Sequence, residues 1–172
     1  MSKPNPNEYS SFYEPYLEIL PDDGSGLNEL LELSLTEFNE LFSELPSEKD
    51  EYRYDTGKWS IKELVQHIID AERVFVYRAL RFSREDLTEL SGFDENLYVE
   101  TSNADQRSMS SLIEEFNLMR KSNIVMYKAM DESTLVMDGV VSGNRISVRA
   151  LGYICCGHLL HHLKIIKERY LD

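Results

Sequence analysis

Four histidines carry most of the chemistry this chain can offer, and three of them, His158, His161 and His162, fall within five positions in "GHLLHHLKIIKERYLD". The fourth, His67, lies far upstream in "SIKELVQHIIDAERVF". Neutral imidazole is a ligand for zinc, nickel, copper or iron, and two imidazoles at i and i+4 of one helix can grip a single ion. His158 and His162 have that spacing. At about 100° per residue they share an arc with Leu151, Ile154, Cys155, Leu159, Ile165 and Ile166, whereas His161 is displaced about 100° from His162, to the edge of the arc. Two imidazoles on an apolar stripe have four ring nitrogens in need of partners, and a buried polar group left unpaired costs about 1–3 kcal/mol. An ion would satisfy one nitrogen of each ring; hydrogen bonding inside a metal-free bundle is the competing account. His67 sits on the flank of its own stripe, one turn after Leu64 and one turn before Ala71. It joins the pair only if a neighbouring helix carries it there.

Three histidines that do converge would leave one coordination position open, as in catalytic rather than structural zinc sites. The open position takes either water, whose pKa an ion lowers towards about 7, or a thiolate. Asp70 and Glu72, just after His67, are candidates to orient the rings, and both read equally well as surface charges. For His161 the edge position predicts a supporting or surface role.

The elements that must position these residues are helices. Leu27, Leu30, Leu31, Ser34, Phe38, Leu41, Phe42 and Leu45 recur at helical spacing until Pro46 stops them. A second helix opens at "WSIKEL", with Ser60 as cap and Glu63 completing a capping box, and runs to about Phe82. A third begins near Ser108 to Ser111 and continues to Met130, and a fourth runs from about Ser147 to Tyr170. Between the second and third lies a polar connection, 83–107, without sustained periodicity; "LVMDGVVSGNRISV" fits a short hairpin or an irregular loop. Residues 1–26, with Pro4, Pro6, Pro15 and Pro21 among Tyr9, Phe12, Tyr13 and Tyr16, predict an irregular arm pinned by its rings to a bundle. The sum is an all-α four-helix bundle with one long crossover, as a single domain over 1–172.

Composition narrows the function further. The chain has 172 residues, 42 % of them hydrophobic, enough for one core. With 31 acidic against 18 basic side chains the formal charge is −13, a field that repels phosphate backbones and anionic lipid, so no nucleic-acid or membrane partner is expected. No apolar run reaches the roughly 18 residues that span a bilayer, and the opening residues lack a signal-peptide core; a cytoplasmic protein is the expectation. The adjacent Cys155 and Cys156 suit neither an ordinary disulfide nor a C-x-x-C motif and read as reduced core residues.

In combination, "KWSIKELVQHIIDAERVFVYRALRFSRED", "GFDENLYV" and "RALGYICCGHLLHHLKIIKERYL" resemble the DinB-like superfamily, also called DinB/YfiT-like metalloenzymes. The matching features are the Trp59–Ser60 pair opening the second helix, His67 followed by Asp70 and Glu72, and the H-x-x-H-H cluster of His158, His161 and His162. The resemblance runs from "FYEPYLEILPDDG" to the final "RYL". It implies a four-helix bundle, often a homodimer, with a divalent ion such as zinc or nickel on His67, His158 and His162, and a small-molecule substrate. Some relatives resemble transferases that join a low-molecular-weight thiol to an electrophile, and others are linked to isomerisation or amide hydrolysis. The expectation is therefore a metal-dependent transferase using such a thiol, with Arg81, Arg84, Arg120 and Lys121 as possible cations for it. The alternatives are a hydrolase or isomerase and a non-catalytic metal-binding stress-response protein.

Overall fold

The computed structural model describes residues 2–171. Four long helices form the bundle: α2 (Leu27–Glu44), α3 (Ile61–Phe82), α5 (Met109–Lys128) and α7 (Val148–Ile165). Short pieces fill the gaps, namely α1 (Glu14–Glu18), α4 (Glu95–Thr101), α6 (Glu132–Leu135) and the strands β1 (Asp138–Val141) and β2 (Asn144–Ser147). Helix α7 packs against α2 and α3, and α5 against the same two, so the four close into a ring. The all-α four-helix architecture expected from the periodicity is the one observed.

Each long helix starts where a side chain can satisfy its free amides. The Ser60 Oγ accepts from the Glu63 amide at 3.1 Å while the Glu63 carboxylate accepts from the Ser60 amide at 2.8 Å, completing the capping box of α3. Ser108 and Ser147 cap α5 and α7 through the amides of Ser111 and Ala150. At its far end α7 loosens into a π-helical turn, Ile166–Tyr170, whose Tyr170 hydroxyl donates to the Trp59 carbonyl at 2.8 Å. The end of α7 is thereby tied to the start of α3.

The 83–107 connection is more structured than its sequence suggests. Asp94 caps α4 by accepting from the Asn96 and Leu97 amides at 3.0 and 3.1 Å, and α4 lies against α3. Seven residues with a single buried side chain, Val99, leave no periodic trace. The "SGN" segment resolves as a hairpin: Ser142 and Gly143 adopt φ of 48° and 76°, the left-handed pair of a tight two-residue turn. Leu90 adds to its edge, donating to the Val140 carbonyl at 2.9 Å.

The bundle interior holds two apolar clusters. One gathers Leu27, Leu31, Phe75, Phe82, Tyr127 and Leu151 with the arm's Leu17 and Leu20. The other gathers Phe38, Ile61, Ile68, Phe116, Leu159 and Ile166. Polar side chains from all sides of the ring lie at the seam between them.

Candidate metal centre

Helix α3 supplies His67, and α7 supplies His158 and His162 one turn apart on its inward face. All three side chains are buried. The Nε2 atoms of His67 and His162 each stand 3.1 Å from the Nε2 of His158, and the three ligand atoms lie within 4.8 Å of one another. Burial pushes every one of these imidazoles down: His67 to about 4, and His158 and His162 well below their ordinary range, where the neighbouring rings add repulsion. Near neutrality all three rings are uncharged, the form in which an imidazole nitrogen can ligate a metal.

Hydrogen bonding alone serves this cluster poorly. One Nε2 has a single in-plane position, a proton or a lone pair, yet the His158 Nε2 faces two other ring nitrogens at 3.1 Å. Nitrogen ligands at about 2.0–2.1 Å from a tetrahedral ion stand about 3.3 Å apart, close to both spacings from His158, with the remaining pair inside 4.8 Å. The His162 Nδ1 is also buried with no hydrogen-bond partner among the described residues. The donor set therefore fits a divalent transition ion such as zinc or nickel.

Aromatic rings hold the imidazoles in place. Trp59 lies against His67 with ring centroids 4.8 Å apart, and Tyr16 and Phe75 meet His158 edge-on at 5.3 and 5.7 Å. His161 stays outside the cluster: it is half-buried, and its ring packs edge-on against Tyr16 at 5.4 Å and His162 at 5.1 Å.

The two carboxylates after His67 bond elsewhere. Asp70 accepts from the Gln66 amide group at 2.9 Å. Glu72 is buried, so the surface-charge account of it is corrected. It takes a two-pronged ion pair from Arg120, 2.7 and 2.6 Å, and a further bond from Asn123 at 2.9 Å. Arg120 also donates to the Ser34 hydroxyl at 2.7 Å and is wholly buried, which removes it from the cations available to an anionic ligand. Arg81 is likewise engaged, with Asp86 and Tyr77.

The three histidines open onto a cavity of about 370 Å³. Its walls come from α3 (Ala71, Phe75, Arg78), the arm (Tyr13, Tyr16), Phe93 in the crossover and the β1–β2 hairpin. The sequence pattern places the arm on the outside of the bundle, and it gives no role to Arg78. A signal for Arg78 was present: eleven residues after His67 is about 20° away on a helical wheel, the same face three turns on.

The fold that carries these residues has counterparts among known proteins. The model of the DinB superfamily matches residues 30–166. None of the curated proteins compared matches the chain. Among solved structures, YfiT from Bacillus subtilis, described as "a probable metal-dependent hydrolase with an unusual four-helix bundle topology", aligns with a TM-score of 0.74 at 13 % identity, covering 97 % of this chain and 90 % of its own. At that identity the likeness speaks for the fold. With the family model spanning most of the bundle, from α2 through the histidine cluster of α7, the chain belongs to the DinB superfamily.

Proposed function

We propose that this chain is a metal-dependent enzyme in which His67, His158 and His162 hold a zinc or nickel ion and a low-molecular-weight thiol is transferred to a small electrophile. The observation that carries the reading is the convergence of three uncharged Nε2 atoms on the wall of a substrate-sized cavity. When bound, such an ion lowers the pKa of a thiol or a water placed in its open position. The chain's own residues do the rest. Three histidines from two helices would hold the ion at the cavity wall, and Trp59, Tyr16 and Phe75 pack around their rings, limiting access by water. In the transfer, the thiol proton passes to solvent, a sulfur–carbon bond forms, and the bond from that carbon to its leaving group breaks.

Hydrolysis, the activity ascribed to YfiT, is the second reading. Water attack is commonly assisted by a carboxylate base beside the metal. Asp70 and Glu72 bond elsewhere, and the carboxylate on the cavity wall, Glu95, is exposed on α4. A thiol held as thiolate needs no such base, which favours transfer. The cavity itself counts against a purely structural or sensory ion.

Metal analysis of the purified protein, beside His67→Ala and His162→Ala, is the first test. About one ion per chain is expected for the native protein and a large loss in both variants; undiminished metal in the variants overturns the site. Zinc- or nickel-loaded protein is then mixed with L-cysteine and 1-chloro-2,4-dinitrobenzene. Metal-dependent conjugation, abolished by His162→Ala, is the expected result. If neither this nor other small thiols are bound or conjugated, transferase chemistry is excluded and the hydrolytic reading takes its place.

A further inference from the structure

Along one face of α3 the cavity is lined successively by His67, Ala71, Phe75 and Arg78. Arg78 is only 3 % exposed, and no carboxylate among the described residues lies within ion-pair distance of it. Its neighbours are neutral: the Ser91 carbonyl accepts from it at 3.0 Å, the Tyr13 hydroxyl bonds to it, and the Phe93 ring lies 5.9 Å away. The contrast with Arg120 is instructive. That guanidinium, equally buried, has its fork filled by Glu72, whereas the fork of Arg78 meets only uncharged partners. A buried cation without a counter-ion is costly, and guanidinium matches a carboxylate with two parallel hydrogen bonds. Other charges on the wall do not fill the role: Arg145 is exposed and paired with Asp138, and Glu95 stands exposed.

We propose that Arg78 is the specificity-determining residue of the cavity, binding the carboxylate of a substrate whose reacting end lies at the three histidines. The inference rests on the reading of the cavity as a substrate site and names the class of molecule it takes. Eleven residues of helix separate His67 from Arg78, about 16 Å along the axis between Cα atoms, a span that the long arginine side chain shortens. The substrate is therefore elongated, with an apolar or aromatic body lying along Ala71, Phe75 and Tyr16 and a single carboxylate at its far end. One uncompensated buried charge suits a monoanion better than a doubly charged phosphate.

The test uses metal-free protein at pH 8, where the histidines are uncharged and no ion can capture the probe. Binding of 4-phenylbutyrate is compared with that of its uncharged amide by calorimetry. A preference for the carboxylate of about tenfold or more is expected, the scale of a charge-assisted pair. It should collapse in Arg78→Gln, fall in part in Arg78→Lys, and persist in Arg145→Gln. A merely structural Arg78, holding Ser91 and Phe93, would leave the ratio of the two probes unchanged, and an unchanged ratio overturns the proposal. Should Arg78→Gln fail to fold, the arginine Nε–H signals of the native protein decide. The signal of a buried arginine shifts with the carboxylate and stays with the amide if the proposal holds, and a signal indifferent to both refutes it. A carboxylate preference without any thiol conjugation would leave the carboxylate site standing and remove only the transferase chemistry.

Discussion

The neutrality of the histidines is a property of their burial, and it fixes how the metal-free protein responds to acid. Unfolded histidines take up protons at their ordinary pKa near 6.5, whereas folded His67 resists until about 4 and His158 and His162 until lower still. Between those values the unfolded chain binds more protons, so stability is complete above pH 6.5 and falls as the pH drops towards 4. The share of His67 alone is on the order of 3 kcal/mol. Denaturant unfolding of metal-free protein at pH 7, 6, 5 and 4 should show this decline, and His67→Gln should make it shallower while His158 and His162 keep the remainder. A stability independent of pH across that window would mean that the rings are not held neutral. At this scale the inward pair on α7 was legible from the wheel, since 3.6-residue periodicity places His158 and His162 among leucines and isoleucines. The Glu72–Arg120 pair was not, because a contact between residues on different helices leaves no spacing in either one.

The arm and the hairpin shape the cavity although neither belongs to the bundle, and one glycine decides whether the arm can do so. A Cβ on Gly157 would stand 1.8 Å from the Tyr16 carbonyl oxygen, so α1 lies directly on the backbone of α7 beside His158. The arm's other anchor is Glu8, which accepts from the Arg149 guanidinium at 2.5 Å and the Ser147 hydroxyl at 2.8 Å. Burial works against the ionised Glu8, yet Arg149 and its other donors hold its carboxyl down at about 2. Gly157→Ala should therefore displace the arm while leaving the four long helices intact. Expected outcomes are unchanged helical circular dichroism, a lowered melting temperature, and faster proteolysis within residues 2–20. Native-like protease resistance would show that α1 can be docked without this close approach. The four long helices were visible in sequence because each runs for 18 to 22 residues with an apolar face. Helix α4 and the paths of the arm and hairpin were not, since segments of four to seven residues are settled by what they pack against.

Across the whole molecule, the two apolar clusters are joined by polar bonds as well as by helices. Arg120 from α5 reaches Glu72 on α3, Ser34 on α2 and the Cys155 carbonyl on α7, so one side chain touches all four helices of the ring. Among the described residues no helix is long and apolar enough to cross a membrane. Cutting this knot on one side should cost far more than removing it altogether. Glu72→Leu leaves a buried guanidinium without its counter-ion, a loss of about 3–5 kcal/mol, whereas replacing both partners by apolar residues of similar volume is often neutral. For a chain of this size each kilocalorie shifts the melting temperature by about 2–4 °C. The single variant should thus melt well below the native protein, and Glu72→Leu combined with Arg120→Met should recover most of the difference. Metal content adds a second readout, because Glu72 makes no bond to His67, His158 or His162. The double variant should bind metal as the native protein does. If it folds stably yet loses the ion, the ion pair supports the metal centre after all, and the separation between scaffold and site drawn from their bonding is wrong.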